Sequence, residues 1–188
     1  MSDIEFFFDV GSPYSYLAFH ALPAIAERNG VAIQYRPFLL GAVFKATGNS
    51  PPAMVPARGQ WMFADLLRWS AKYELPFALP DTFPINTLLP MRALSAVGQA
   101  EVRDAARVLF HAYWGEGKAI SNPSLLNELL GRQVVAEAST DAVKLRLREV
   151  TDDAIKRGAF GAPTFFVRDQ LVFGNDRLNF VEELLQHP

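Results

Sequence analysis

Ser12 stands where an apolar run, residues 4–10, gives way to helical spacing, with Gly11 before it and Pro13 after it. Serine is a favoured helix cap, and proline suits the first helical position. The same place can serve chemistry. A helix N-terminus carries partial positive charge and free N–H groups, so it favours an anion. Spacing alone leaves both uses open.

A serine nucleophile fits poorly. The order Asp9-Val10-Gly11-Ser12-Pro13-Tyr14 lacks the Gly-x-Ser-x-Gly elbow. The residue after an elbow serine must donate its N–H to an oxyanion, and Pro13 has none. A base is also needed. Of the three histidines, His20 and His111 fall in helical stretches and His187 is penultimate. The chain has no cysteine, which excludes disulfides, thiolate metal sites and a cysteine nucleophile. Ser12 can instead assist a thiolate brought from outside. Lowering a free thiol from ~8.5 by about two units takes about 2.7 kcal/mol. A hydroxyl hydrogen bond to a charged acceptor gives roughly 1.5–3 kcal/mol. A helix end adds about 0.3–1 kcal/mol. Together they cover the shift, and the serine need only donate.

Further features could complete such a site. Pro163, in Ala162-Pro163-Thr164, opens a strand pattern where a missing N–H needs a reason. A trans proline at a strand start is the commoner outcome. A cis bond would turn the Ala162 N–H and C=O towards the same sheet end as Ser12. Gly174-Asn175-Asp176-Arg177 sets a helix start, a carboxylate and a guanidinium together. That mixture suits an α-amino acid end, although an Asp cap beside an exposed Arg reads the same way. Asn49, Arg58 and the Trp114-Gly115-Glu116-Gly117 turn can line a pocket or simply punctuate loops. No metal-ligand spacing, phosphate loop or dinucleotide fingerprint is present.

These residues need elements to hold them. Residues 4–10 read as a buried strand, 13–28 as a helix containing Pro23, and 31–35 as a second strand. That is a parallel strand–helix–strand unit. Residues 40–157 lose the strand signal. Helical stretches at 60–73, 87–96, 101–114, 124–130 and 141–157 alternate with proline- and glycine-rich loops. The block is large enough for a core of its own. Residues 164–167 and 171–173 then read as a hairpin and 178–186 as a helix. The order predicts an α/β fold. It is a thioredoxin-like domain, residues 1–39 and 158–188, carrying a large all-helical insertion, residues 40–157.

The 188 residues are half hydrophobic and carry a net charge of −2, with no block of like charge. Nucleic acid and anionic membrane surfaces are poor partners for such a chain. The opening Met1-Ser2-Asp3-Ile4-Glu5 has acids where a signal peptide needs positive charge, and no apolar run reaches the ~20 residues of a spanning helix. A cytoplasmic location is expected.

The motifs Phe8-Asp9-Val10-Gly11-Ser12-Pro13-Tyr14-Ser15-Tyr16, Gly161-Ala162-Pro163-Thr164-Phe165 and Gly174-Asn175-Asp176-Arg177-Leu178 together resemble 2-hydroxychromene-2-carboxylate isomerases and kappa-class glutathione transferases. The likeness extends to Gly48-Asn49, residues 56–59 and residues 114–117, and so spans the whole chain. It implies a DsbA-like fold, glutathione as cofactor, a homodimer and a small aromatic substrate. By position it implies that Ser12 faces the glutathione sulfur. Ala162, before a cis Pro163, would pair with the glutathione backbone, and Phe173, Gly174, Asn175 and Asp176 would hold the γ-glutamyl end. Asn49 and Arg58 match positions at the active-site mouth, and Lys45 lies close to a substrate-contacting lysine of the isomerases. The implied reaction interconverts 2-hydroxychromene-2-carboxylate and trans-o-hydroxybenzylidenepyruvate. Reversible addition of the glutathione thiolate would permit rotation about a former double bond. A kappa-like transferase or peroxidase, and a non-catalytic glutathione or peptide binder, are the alternatives.

Overall fold

A computed structural model describes residues 4–187. The first three residues, part of the opening read above for a signal peptide, and Pro188 lie outside the described residues. The chain runs β1 (Ile4–Phe8), α1 (Pro13–Arg28), β2 (Ile33–Pro37), α2 (Leu40–Thr47), α3 (Pro56–Lys72), α4 (Leu88–Ala96), α5 (Val102–Phe110), α6 (Pro123–Leu130), α7 (Arg132–Glu137), α8 (Asp141–Lys156), β3 (Thr164–Val167), β4 (Gln170–Phe173) and α9 (Leu178–Gln186). The sheet order is β2-β1-β3-β4. β1 and β2 are parallel, as the intervening helix requires, and β3 lies antiparallel to both β1 and β4.

Strand alternation divides the phenylalanines between two layers. Ile4, Phe6 and Phe8 face α1, where Phe19, Phe110 and Phe165 join one large core. Phe7 faces the other way and packs with Phe38, Val43, Ala154 and Phe166 beneath α2 and α8. The large core also takes in Met62, Leu66, Met91, Leu94, Leu109, Trp114 and Leu126. The helices between β2 and β3 therefore share their apolar interior with the sheet, where the sequence suggested a core of their own.

Several elements differ from the sequence expectation. α2 and α7 were not anticipated. α2 has no side-chain cap at Leu39, so its start carries no local signal. α3 begins at Pro56, which places Arg58 inside a helix rather than in a loop. The stretch 101–114 is helical only to Phe110 and then widens into a π-type turn over His111–Gly115. α1 runs through Pro23, and β4 starts one residue early, at Gln170.

All five tyrosines have phenols pushed up, chiefly by burial, with Tyr16 raised to about 12. A folded pKa above the unfolded ~10 gives stability that is complete below pH ~10 and is lost as pH rises through the folded value. A phenolate absorbance titration is therefore expected to show no tyrosine ionising with a midpoint near ~10 while circular dichroism reports a folded chain. Ionisation should come with alkaline unfolding. A fifth of the phenolate signal appearing near ~10 in the folded protein would contradict this packing.

Candidate active site

The turn between β1 and α1 is held by a set of hydrogen bonds. Its Asp9 carbonyl accepts the Ser12 N–H at 3.0 Å. The Val10 N–H reaches Met91 Sδ at 3.4 Å, and the Val10 carbonyl accepts Trp114 Nε1 at 2.9 Å. The Gly11 N–H donates to Asp9 Oδ1 at 2.9 Å. Gly11 has no room for a side chain, since a Cβ there would stand 2.7 Å from Thr87 Cγ2. Trp114, fully buried, thus turns from a loop-ending motif into a support of the Ser12 turn.

Ser12 is 4 % exposed and performs two tasks. Its Oγ accepts the Ser15 N–H at 3.1 Å, which makes it the cap of α1. The same hydroxyl donates to the Ala162 carbonyl at 3.1 Å, across 150 residues of sequence. The Ala162–Pro163 bond is cis. Among the described residues, nothing accepts the N–H groups of Tyr14 or Ala162. Two unspent donors and one hydroxyl therefore converge at the positive end of α1.

These groups form part of the wall of a cavity of about 930 Å³. Beyond Ala162, the Gly174 N–H donates to the Pro163 carbonyl at 3.1 Å, and Gly174 has φ +102°. That positive φ, rarely adopted by L residues, is what calls for glycine. Asn175 is 2 % exposed, and neither atom of its amide makes a regular hydrogen bond. Its polar neighbour is the Tyr73 hydroxyl, which is pushed up by burial and by the Asp176 charge and held down by the Asn175 amide. Asp176 is paired with Arg177 at 3.0 Å and half exposed.

One face of α3 makes the opposite wall. Arg58, Trp61, Met62, Asp65 and Trp69 all line the cavity, a stripe at helical spacing. Asp65 accepts the Tyr14 hydroxyl at 2.9 Å. Burial, that bond and the charges of Asp65 and Asp176 push the Tyr14 phenol well above its usual range. The sequence reading found Arg58 but not Trp61, Asp65 or Trp69. Counting three, seven and eleven residues on from Arg58 would have reached them. Arg58 is exposed, has no ion pair among the described residues and is the one basic residue lining the cavity.

The remaining expected positions divide. Phe173 lines the cavity and packs on Phe160 with ring centres 4.5 Å apart. Asn49 lines it too, and its Nδ2 donates to the Phe160 carbonyl at 2.9 Å, joining the α2–α3 loop to the segment before Pro163. Lys45 does not reach the wall. The lining residues of α2 are Leu40, Gly41 and Phe44, while Lys45 is exposed in its last turn. Asp9, quoted in the sequence motif but given no role there, is buried below the cavity. Burial pushes its carboxyl up, against hydrogen bonds from Gly11, Leu40 and Thr87 that hold it down. Among the described residues no cluster of His, Asp and Glu could hold a metal ion, and no helix is long and apolar enough to cross a membrane.

The four-stranded mixed sheet, with nine helices among the described residues and a cis-proline facing the first helix, defines a DsbA-like thioredoxin fold. The chain belongs to the DSBA-like thioredoxin domain family, which it matches over residues 3–186. More narrowly, it is 38 % identical over 194 residues to a 2-hydroxychromene-2-carboxylate isomerase of Sphingobium xenophagum, covering 97 % of each chain. It is 33 % identical over 206 residues to glutathione S-transferase kappa 1 of Caenorhabditis elegans, covering 98 % of this chain and 91 % of that one. A solved 2-hydroxychromene-2-carboxylate isomerase superposes with a TM-score of 0.87 at 33 % identity, covering 97 % of this chain and 94 % of the other.

Proposed function

We propose that this chain is a glutathione-dependent isomerase that interconverts 2-hydroxychromene-2-carboxylate and trans-o-hydroxybenzylidenepyruvate. The observation that carries the reading is the convergence of the Ser12 hydroxyl and the Ala162 backbone at the N-terminus of α1, inside a cavity that the buried Asn175 also lines. That arrangement suits glutathione part by part. The free Ala162 N–H suits a peptide carbonyl, and the Ser12 corner suits a sulfur anion. The Asn175 amide, with the Asp176 and Asp65 carboxylates nearby, suits an α-amino acid end. The volume lies at the upper end of small-molecule sites, about 300–1,000 Å³, and leaves space for a second molecule.

When bound, glutathione supplies the thiolate that a cysteine-free chain lacks. The chain's own part is positioning and electrostatics. To serve a sulfur, the Ser12 hydroxyl must turn its hydrogen away from the Ala162 carbonyl. That carbonyl is then open to an N–H of the ligand backbone. The Tyr14 N–H and the α1 dipole favour negative charge at the same point. Phe44, Trp61, Phe83 and Phe160 offer flat apolar surface to an aromatic substrate and exclude water. Arg58 is placed to hold the substrate carboxylate.

The isomer ratio and the glutathione concentration, followed together, test the reading. Isomers that interconvert while glutathione stays constant support it. Glutathione consumed by electrophiles or hydroperoxides without isomerisation would make the chain a kappa-like transferase or peroxidase. Binding without either turnover would leave a binder alone. Arg58→Leu is expected to raise the KM for the carboxylate substrate about 10-fold, with kcat less affected, because an exposed charge-assisted hydrogen bond is worth roughly 1.5 kcal/mol. An unchanged KM would remove Arg58 from the substrate site.

A further inference from the structure

Three helices begin around one buried carboxylate. Asp9 is 1 % exposed. Its Oδ1 accepts the Gly11 N–H, one residue before the α1 cap, at 2.9 Å. Its Oδ2 accepts the Leu40 N–H, at the first residue of α2, at 2.9 Å. The same oxygen accepts Thr87 Oγ1, one residue before α4, at 3.0 Å. Neither Leu39 nor Thr87 caps its own helix with a side chain, so Asp9 supplies the negative partner at both starts. Two backbone N–H groups and a hydroxyl reach it, and a carboxylate accepts all three. Gly11, tethered this way, leads directly into Ser12.

We propose that Asp9 is a positioning residue for Ser12: by tying the starts of α1, α2 and α4 to the cavity floor it fixes where the Ser12 hydroxyl points. This rests on the glutathione reading only for its effect on a thiol; the effect on Ser12 itself needs no ligand. An amide at position 9 presents NH2 to at least one of these donors. In one orientation the Gly11 N–H faces another donor; in the other the Leu40 N–H does, and Thr87 must turn as well. The tether then slackens at the residue before Ser12.

The test compares Asp9→Asn, Thr87→Val and Thr87→Ser in the full chain. Valine keeps the methyl that sits against Gly11 and loses the donor. Serine keeps the donor and loses the methyl. Amide spectra of the ligand-free proteins read the Gly11, Ser12 and Ala162 peaks, and an ultraviolet titration reads the thiol of bound glutathione. Asp9→Asn should move all three peaks and raise the bound thiol pKa by about one unit, a tenfold loss of thiolate below it. Thr87→Val should move them the same way by less, and Thr87→Ser should restore the native values. A lowered melting temperature with unmoved Ser12 and Ala162 peaks and an unmoved thiol pKa would overturn the proposal, leaving Asp9 a fold clamp. Thr87→Ser perturbing the site as much as Thr87→Val would overturn it too, by assigning the effect to the methyl. Should Asp9→Asn not fold, the Thr87 pair decides. Should glutathione not bind the native chain, the functional reading fails, and the ligand-free peaks still decide this one.

Discussion

Ser12→Ala is expected to lower turnover by about 10- to 100-fold and to raise the pKa of bound glutathione, with the fold intact. The magnitude follows from the hydroxyl's one hydrogen. Donated to a charged acceptor it is worth roughly 1.5–3 kcal/mol. The change also removes the α1 cap, which accepts the Ser15 N–H. A modest stability loss of about 1 kcal/mol should therefore accompany it. The two effects separate by experiment. Thermal unfolding reads the cap, and the thiolate absorbance of bound glutathione reads the donor. A variant with the native thiol titration and unchanged kcat would remove Ser12 from the chemistry and leave it a cap.

Trp114→Ala is expected to cost the most stability, about 3–5 kcal/mol. The indole is fully buried and packs against Phe77, Phe83 and Tyr113, with ring centres 5.9, 5.6 and 4.6 Å away. Its Nε1 also satisfies the Val10 carbonyl, which would otherwise be left buried without a donor. At about 2–4 °C per kcal/mol for a chain of this size, the melting temperature should fall by about 6–20 °C. Trp114→Phe should lose less, because it keeps much of the ring packing and gives up chiefly the hydrogen bond. A melting temperature within about 2 °C of the native value in the alanine variant would show that this junction does not hold the fold together.

The parts of the site that were legible in the sequence are those whose chemistry is local. Ser12 beside Pro13, the Ala162-Pro163 pair and the Gly174-Asn175-Asp176 turn each stand out within a few residues, although each alone also reads as a cap or turn and only the three together carry the family resemblance. The strand and helix order follows from apolar spacing in the same way. What escaped depends on partners far along the chain. α2 is started by an acceptor 31 residues upstream, and Thr87 points at the same carboxylate from 78 residues away. No window of neighbouring residues contains either signal. Lys45 was expected near the substrate from the family resemblance. Once the segment is helical, Phe44 occupies the wall and the next residue turns outward. Asp65 and Trp69 were hidden because Arg58 was placed in a loop and its helical neighbours were not counted.

On the proposed reading, Ser12 and Ala162 hold and steady a thiol that the cysteine-free chain borrows from glutathione. A crystal structure of the chain grown with glutathione tests it most directly. The sulfur is expected within hydrogen-bond reach of Ser12 Oγ, with the cysteinyl backbone paired with Ala162 and the γ-glutamyl end against Asn175. Glutathione lying elsewhere in the cavity, with the Ser12 hydroxyl still donating to the Ala162 carbonyl, would contradict it.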